Sequence, residues 1–573
     1  MPQPPGPARF EALAERPYAD VLIIGGGING LAILRDLAMQ GVDVALVERA
    51  DFAGGASAAS SHMIHGGIRY LENGEFRLVA EAVTERNALL RLAPHYVRPL
   101  QTTIPIFSTF SGVLSAPLRF LLHGRGKRRE RGALLIKVGL VIYDSFSRGG
   151  GRVPRHSFDG RRRSLRDLPQ LNPDIRYTAT YWDASLHDPE RLALDVLRDA
   201  LEAGAWARAA NYVEAVGVRG GRVVLRDAES GEQTAFAASV IVNASGPWTD
   251  LTGAALGEPT RFMGGTKGSH IVLDDPQLLA ATGGRELFFE HSDGRIVLIY
   301  PLKGRVLVGT TDLEHDMSDP IVCTEEEVDY FFDLIRQVLP AVAVDRSRIV
   351  YRFAGVRPLP GHGDLAPGFV SRDYRIERGS LGGPTGAVVL SLVGGKWTTF
   401  RASAAHVADR VLDALAVPRR RSTRGVAIGG GRGFPMTERA RRAWLAEHDA
   451  GLEFTRAAVL LDRYGTVAAE VIAAVAADPD DAPLATAPAY STGELRHLAR
   501  TEHVVHLDDL LLRRTSLAFT GGAEAAASEI ADAVAETLGW DAATRAAEIE
   551  RAIAAVHAAD PSWRPAGAGQ EGR

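Results

Sequence analysis

A glycine-rich turn near the start of the chain sets the strongest constraint on its fold. The apolar sequence DVLIIG at residues 20–25 predicts a buried β-strand, and GLAILRDLAM at residues 30–39 has the apolar spacing of a helix. Between them, Gly25, Gly27 and Gly30 complete the pattern G-x-G-x-x-G. The first glycine permits a tight turn, the second lets a pyrophosphate approach the backbone at the helix N-terminus, and the third lets helix and strand pack closely. The sequence therefore predicts a strand–turn–helix unit that binds a dinucleotide.

A carboxylate follows at the position expected of a ribose-binding residue. A second apolar run, at residues 42–47, ends at Glu48, which lies eighteen residues after Gly30. A carboxylate at this point binds ribose hydroxyls and repels a 2′-phosphate, so FAD or NAD is favoured over NADP. We interpret this region as the first part of a Rossmann-like domain.

Two later segments repeat the pattern of a strand that ends in small residues. These are VIVNASG at residues 240–246 and VLSLVGGKWTT at residues 389–399. Here Gly246, Gly394, Gly395 and Thr398 are predicted to meet the flavin end of the cofactor, and the following helix N-terminus would stabilise a reduced, anionic flavin. Three such strands, far apart in the chain, predict one sheet built from discontinuous segments. Because NAD domains are usually contiguous, this arrangement favours FAD.

The bulk composition excludes several classes of protein. A chain of 573 residues is too long for one hydrophobic core and predicts two to four domains. Its net charge of −5 gives no general attraction for nucleic acid. The only cysteine, Cys323, excludes an internal disulfide and a thiolate metal cluster, so we expect an unreactive thiol, a reducing compartment and no metal site. The sequence has no run of 18 apolar residues that would predict a membrane span.

The pattern of strands and helices predicts an α/β protein with three structural regions. Residues 287–312 are typical of paired strands in an antiparallel sheet, and the sequence after residue 437 has helical spacing. We expect, within residues 18–425, an FAD-binding domain (about 18–98, 190–265 and 350–415) interleaved with an antiparallel-sheet substrate domain (about 99–189 and 266–349), followed by an α-helical C-terminal domain (426–562), with disordered ends at 1–17 and 563–573.

Eight sequence blocks resemble the FAD-dependent glycerol-3-phosphate dehydrogenases, which are D-amino-acid-oxidase-like flavoproteins. They occur in family order and are IIGGGINGLAILRDLAMQG (23–41), SAASSHMIHGGIRYLENGEFRLVAEA (57–82), VNASGPW (242–248), KGSHIV (267–272), VGTTD (308–312), GVRPL (355–359), GGKWTTFR (394–401) and HLDDLLLRRT (506–515). The resemblance implies non-covalent FAD, glycerol-3-phosphate as substrate, a quinone as electron acceptor, and a cytoplasmic enzyme that is peripheral on the membrane face. One departure is His62, where most family members have lysine, and a neutral imidazole is a weaker partner for an anion.

The chemistry of alcohol oxidation assigns roles within these blocks. A base must accept the hydroxyl proton, and His65 is the first candidate because an unperturbed imidazole titrates near neutrality; an aspartate, water or Lys396 remain alternatives. The phosphate needs fixed donors, for which the resemblance indicates Arg69, Tyr70 and Arg357. Lys396 is expected to steady negative charge on the reduced flavin or on the substrate alkoxide. The remaining candidates are Lys267, His270 and Thr311 in the substrate pocket, and Ser60, Ser61, Gly66 and Gly67 beside the cofactor.

A basic segment predicts a contact with the membrane surface. The sequence RFLLHGRGKRRER at residues 119–131 lies between the apolar stretches 113–122 and 133–143. This combination favours an anionic membrane surface over the alternative of a solvated loop. Three other functions remain open: a glycerol-3-phosphate oxidase that uses dioxygen, a flavoprotein that oxidises another hydroxy or amino acid, and a binding protein without turnover. The oligomeric state is also open, with a homodimer among the expectations.

Overall fold

A computed structural model describes residues 10–67, 75–107, 136–137, 139–141, 143–144, 153–290, 296–361, 373–381 and 386–563. In this part of the chain, strands β1 to β18 are, in order, Tyr18–Ile24, Val44–Val47, Met63–Ile64, Val97–Ile106, Ser157–Gly160, Tyr177–Leu186, Ala207–Ala210, Val213–Arg219, Arg222–Asp227, Gln233–Asn243, Met263–Leu273, Glu286–Glu290, Ile296–Leu302, Arg305–Gly309, Leu313–Glu314, Ile349–Pro360, Arg375–Ser380 and Val388–Val393. Helices α1 to α17 are Phe10–Glu15, Ile28–Gln40, Phe76–Leu92, Arg161–Asp167, Pro189–Ala203, Thr249–Ala255, Pro276–Ala281, Glu325–Val338, Phe400–Leu415, Glu438–His448, Phe454–Tyr464, Ala468–Ala476, Thr492–Thr501, Leu507–Asp509, Leu517–Thr520, Ala523–Leu538 and Ala542–Val556.

The first sheet is assembled from distant parts of the chain, as the sequence predicts. Its order is β17-β18-β10-β1-β2-β7, and a hairpin formed by β8 and β9 pairs with β10. Strands β18, β10, β1, β2 and β7 are parallel. Along β1, Val21 and Ile23 face one hydrophobic core while Leu22 and Ile24 face another. Because both faces are covered, the strand is apolar at nearly every position. Helix α2 packs against both α5 and α9 on one of these faces.

The second sheet is mostly antiparallel. Its order is β15-β11-β14-β13-β12-β4-β6-β3, with β16 paired to β11 and β5 paired to β6. The predicted hairpins between residues 287 and 312 are confirmed as β12, β13 and β14. Only β12 and β4, among the described pairs of this sheet, run parallel. Helix α8 packs on one face through Phe331 and Ile335, against Ile271 and Ile299.

Two expected domain boundaries need correction. Strand β16 pairs along its length with β11 and so belongs to the second sheet, although the sequence placed residues 350–415 in the FAD-binding domain. An alternating apolar pattern identifies a strand but does not show which sheet it joins. The disordered lead-in is also wrong for residues 10–15, which form α1. Phe10 and Leu13 of this helix are buried against the first sheet.

The C-terminal region is helical, as predicted. Helices α10 to α17 surround a core that includes Leu460, Ile472, Leu495 and Ile530. Most of the predicted membrane-contact segment, residues 113–143, lies outside the described residues. Among the helices of the described residues, none is both long and apolar enough to cross a bilayer.

A buried ion cluster joins the C-terminal region to the first sheet. Asp51, in the loop after β2, accepts hydrogen bonds from Arg513 and Arg514, which lie just before α15. Arg513 also donates to Asp509, at 2.8 Å. Burial alone would raise the pKa of Asp51, but the two guanidinium groups hold it well below its usual range. The charges of this cluster are therefore removed from water, and each is stabilised by its oppositely charged neighbours.

We predict that Asp51→Asn strongly destabilises the protein. The substitution leaves Arg513 and Arg514 buried without their shared carboxylate, and breaking a buried pair costs about 3–5 kcal/mol. The matched control is Glu470→Gln, because Glu470 forms an exposed pair with Arg198 and such pairs contribute less than about 1 kcal/mol. Thermal unfolding of the three proteins, each with its flavin content measured, checks the prediction. Equal melting temperatures for the two variants would contradict it.

Candidate active site

A large cavity lies where the strands of the first sheet end. Its volume is about 910 Å³, within the range of cofactor sites. The wall includes the carboxyl ends of β1 (Gly25), β2 (Glu48), β10 (Gly246) and β18 (Gly394), and the second sheet covers it with residues of β11 and β16. In open α/β sheets, ligands bind outside the carboxyl ends of the strands. The predicted cofactor segments are thus brought together at one site.

The first glycine turn brings helix α2 close to the end of β1. Gly25 has a φ of +112°, and a Cβ atom on Gly30 would overlap the carbonyl oxygen of Gly25. Gly27 and Ile28 line the cavity at the start of α2, whereas Gly30 serves packing. The N-terminus of α2 therefore points its backbone N–H groups and positive dipole toward the cavity, as a pyrophosphate requires.

Glu48 is held at the edge of the cavity by the backbone. The Gly26 N–H donates to Oε2 at 2.6 Å, and the Ala50 N–H donates to Oε1 at 3.1 Å. Burial raises the pKa of Glu48, while these two hydrogen bonds act in the opposite direction. The carboxylate is thus oriented at the predicted ribose position.

The turn after β18 is tied to the segment that carries the predicted base. Gly394 and Gly395 have φ values of +93° and +113°. The Thr398 hydroxyl donates to the His65 carbonyl at 3.1 Å, and the Trp397 indole donates to the Ser57 carbonyl at 3.0 Å. The turn and the segment therefore form one rigid wall of the cavity.

Most of the predicted cofactor and catalytic residues line the cavity, but the structure does not place all of them there. The lining includes Gly25, Gly27, Glu48, Ser60, Ser61, His65, Gly67, Gly246, Gly394, Gly395, Lys396 and Thr398. Gly66 is not among the residues of the wall; a Cβ atom there would overlap the hydroxyl of Tyr143. Arg69 and Tyr70 lie outside the described residues.

Arg357 is fixed on the cavity wall by an ion pair. Its Nη1 donates to Asp312 at 2.6 Å, and its Nη2 donates to the Thr310 hydroxyl and to the Thr311 carbonyl, both at 2.9 Å. The guanidinium lies against Gly268, where any Cβ atom would overlap it. A planar guanidinium held in this way is suited to an anionic substrate group.

His270 lies on the same wall as a neutral imidazole. Its Nε2 is 2.9 Å from the Ser61 hydroxyl, and its ring stacks on Phe353 with a centroid distance of 4.7 Å. Burial holds the pKa of His270 well below its usual value, and the nearby Arg357 lowers it further. Gly309 leaves room for the ring, because a Cβ atom there would overlap it. His270 can therefore exchange hydrogen bonds with a ligand but carries no charge near neutral pH.

Lys267 and Thr311 face a buried glutamate that the sequence analysis missed. The Lys267 ammonium is 2.8 Å from Glu327 Oε2, and the Thr311 hydroxyl donates to Oε1 at 2.6 Å. Burial alone would raise the pKa of Glu327, but these donors hold it below its usual value. Lys267 is not on the cavity wall. The sequence contains the capping box formed by Thr324 and Glu327 at the start of α8, but this local pattern does not indicate that Glu327 faces Lys267.

Two expectations about single residues are consistent with the structure. His62 lines the cavity with its Nδ1 3.0 Å from the Leu186 carbonyl, and burial lowers its pKa to about 4. It is therefore neutral at pH 7, unlike the lysine of the family pattern. Cys323 is buried, and burial raises the pKa of its thiol to about 12. No cluster of three or more metal-ligating side chains occurs among the described residues.

Comparisons with known proteins agree with this geometry. The family model described as FAD dependent oxidoreductase matches residues 20–410, and the model described as C-terminal domain of alpha-glycerophosphate oxidase matches residues 421–545. A glycerol-3-phosphate dehydrogenase of Synechocystis sp. is 34% identical over 491 residues, which are 80% of this chain and 82% of the relative. The chain belongs to the FAD-dependent glycerol-3-phosphate dehydrogenase family. Its cofactor is FAD, so the choice of FAD over NAD is confirmed.

Two further relatives of this flavoenzyme bear on substrate and fold. A D-erythritol 1-phosphate dehydrogenase of Brucella abortus is 33% identical over 397 residues, which are 68% of this chain and 72% of the relative. The crystal structure of the glycerol-3-phosphate dehydrogenase from Bacillus halodurans, complexed with FAD, superposes with a TM-score of 0.74 at 22% identity and covers 96% of this chain and 97% of that one. Because the identity is only 22%, this superposition is evidence for the fold alone, and it supports the predicted fold.

We predict that Gly30→Ala prevents FAD binding. The added methyl group would overlap the Gly25 carbonyl and push α2 away from β1, which displaces the backbone that meets the pyrophosphate. The matched control is Gly217→Ala, because a Cβ atom at Gly217 meets no atom within 4 Å. The ratio of visible flavin absorbance to protein absorbance in the purified variants is the measurement. A Gly30→Ala protein with full flavin content would contradict this account of the turn.

Proposed function

We propose that the enzyme oxidises glycerol-3-phosphate to dihydroxyacetone phosphate and passes the electrons to a membrane quinone. The observation that supports the oxidation is that His65, Arg357 and Lys396 line the same cavity as the glycines at the strand ends of the first sheet. The names of the family relatives supply the substrate. The quinone rests on the resemblance and on the basic and apolar segment at residues 113–143.

The chemistry divides between the cofactor and the protein. Bound FAD would supply the acceptor for the hydride of the substrate's secondary carbon. His65 accepts the hydroxyl proton, and Lys396 stabilises the negative charge that develops on the oxygen. Arg357 holds an anionic part of the substrate in a fixed orientation, since Asp312 and Thr310 orient its guanidinium. Arg69 and Tyr70 complete the phosphate site by the family resemblance.

The neutral imidazoles of His62 and His270 have a different role from these cations. Both line the cavity and burial lowers the pKa of each. They provide hydrogen-bonding groups without adding positive charge, so binding of the phosphate falls to the arginines. The second candidate substrate is D-erythritol 1-phosphate, which the Brucella relative favours. It has the same phosphate and the same kind of alcohol, but one more carbon.

We predict that Arg69→Ala raises the KM for glycerol-3-phosphate about ten-fold or more, because a lost charge-assisted contact with phosphate costs about 1.4 kcal/mol or more. The control is Arg336→Ala on α8, because Arg336 is exposed and pairs with its helix neighbour Asp333. Steady-state kinetics with both candidate polyol phosphates provide the measurement. An unchanged KM at Arg69→Ala would point to a substrate without phosphate, such as another hydroxy or amino acid.

We also predict that a quinone, and not dioxygen, supports rapid turnover. Reaction with ubiquinone in vesicles of anionic lipid, under argon, should exceed reaction in neutral vesicles, because basic residues near an anionic surface contribute about 1 kcal/mol each. The control reaction contains air and no quinone, with peroxide as its product. Peroxide formation that matches turnover would identify an oxidase instead. Equal rates in both lipids would argue against a peripheral enzyme at the cytoplasmic membrane face.

A further inference from the structure

A buried network of charged and polar side chains contacts the backbone next to the predicted base, His65. Asp183, on β6, is 1% exposed, and its Oδ1 accepts three hydrogen bonds. The donors are Arg86 Nη1 at 2.8 Å, the Tyr143 hydroxyl at 2.5 Å and the Gly66 N–H at 3.1 Å. Arg86, on α3, has no exposed surface. An ion pair so fully removed from water is costly to form, and its partners must therefore be well satisfied.

The network is hydrogen-bonded to the peptide unit between His65 and Gly66. The Gly66 N–H belongs to the peptide bond that His65 and Gly66 share, and it also lies 2.9 Å from the Tyr143 oxygen. The carbonyl of the same peptide unit, on His65, accepts the hydrogen bond from Thr398 at 3.1 Å. Both polar ends of this unit are thus held by the side chains of Asp183, Tyr143 and Thr398, which come from three distant segments of the chain. This fixes the backbone that carries the imidazole.

The glycine at position 66 is explained by this arrangement. A Cβ atom there would overlap the hydroxyl of Tyr143 and contact Val83 on α3. Only glycine lets the hydroxyl reach the peptide unit. Asp183 itself lines the cavity together with Tyr181 of the same strand. The network therefore extends from the interior of α3 to the wall where the substrate hydroxyl would lie.

We propose that Asp183 is a positioning residue for the base. Together with Tyr143 and Arg86, it holds the His65–Gly66 peptide unit so that the imidazole of His65 faces the substrate hydroxyl. The proposal rests on the proposed function, in which His65 accepts the hydroxyl proton. Small displacements of a reacting group lower the rate of the chemical step much more than they affect substrate binding.

Tyr143→Phe is the first test, because it removes one hydroxyl and preserves the ring. We expect kcat for glycerol-3-phosphate to fall about ten-fold, while KM and flavin content stay within about two-fold of the wild type. The matched control is Tyr464→Phe on α11. Tyr464 is also fully buried and donates to a buried carboxylate, Glu494, at 2.6 Å, but it does not line the cavity. Its substitution should lower the melting temperature and leave kcat unchanged.

Asp183→Asn provides a second, independent readout. The amide keeps an acceptor for the Gly66 N–H but removes the negative charge. Protonated imidazole then becomes less stable, so the acid-side midpoint of the pH profile of kcat/KM should move to lower pH. The other titratable side chains that face Asp183 are Arg86, Tyr143, Tyr181 and Glu286, and this substitution leaves all four in place.

The outcomes separate the two proposals. If the wild type oxidises glycerol-3-phosphate and Tyr143→Phe lowers only the melting temperature, as Tyr464→Phe does, Asp183 is purely structural and the positioning role is wrong. An unmoved pH profile in Asp183→Asn would lead to the same conclusion. A wild type that oxidises neither polyol phosphate would overturn the proposed function and the positioning role with it. A fall in kcat without a change in KM, together with the pH shift, supports both.

Discussion

The backbone of helix α2 lies in direct contact with the end of strand β1, and the cofactor site depends on this approach. It requires glycine at position 30, because any side chain there would overlap the carbonyl of Gly25. The contact places the N-terminus of α2 at the carboxyl ends of the strands, where Gly27, Gly246 and Gly394 line one cavity. The ends of four strands, β1, β2, β10 and β18, and the N-terminus of one helix then meet at the same cavity. The positions of Glu48 and of the turn after β18 follow from the order of the sheet.

Buried ion pairs join parts of the chain that the pairing of strands does not hold together. Asp51 joins the loop after β2 to Arg513 and Arg514 of the C-terminal region. Glu327 joins α8 to β11 through Lys267, and Asp183 joins β6 to α3 through Arg86. Each pair is largely removed from water, so loss of one partner leaves an uncompensated charge. The C-terminal helices are thereby tied to the same loop that frames the cofactor cavity.

Local patterns predicted the parts of the site that depend on neighbours in sequence. The glycine turn, Glu48, the strand ends at residues 246 and 394, and the hairpins β12 to β14 all follow from spacing, and the structure has them. The sequence could not show that β16 joins the second sheet or that Lys267 faces Glu327, since these contacts join segments far apart in the chain. It also could not show that Gly66 makes room for Tyr143, a side chain from a distant segment. The spacing of residues along the chain does not indicate contacts between distant segments.

The most direct test of the central claim is the visible spectrum of the purified enzyme, recorded without oxygen before and after addition of glycerol-3-phosphate. We predict a flavin spectrum in the resting protein and its prompt bleaching by the substrate, because the glycine-lined strand ends proposed to hold FAD and the proposed base His65 line the same cavity. A flavin spectrum that glycerol-3-phosphate leaves unchanged would contradict the proposed substrate. A well-folded protein that contains no flavin and binds none would contradict the cofactor site itself.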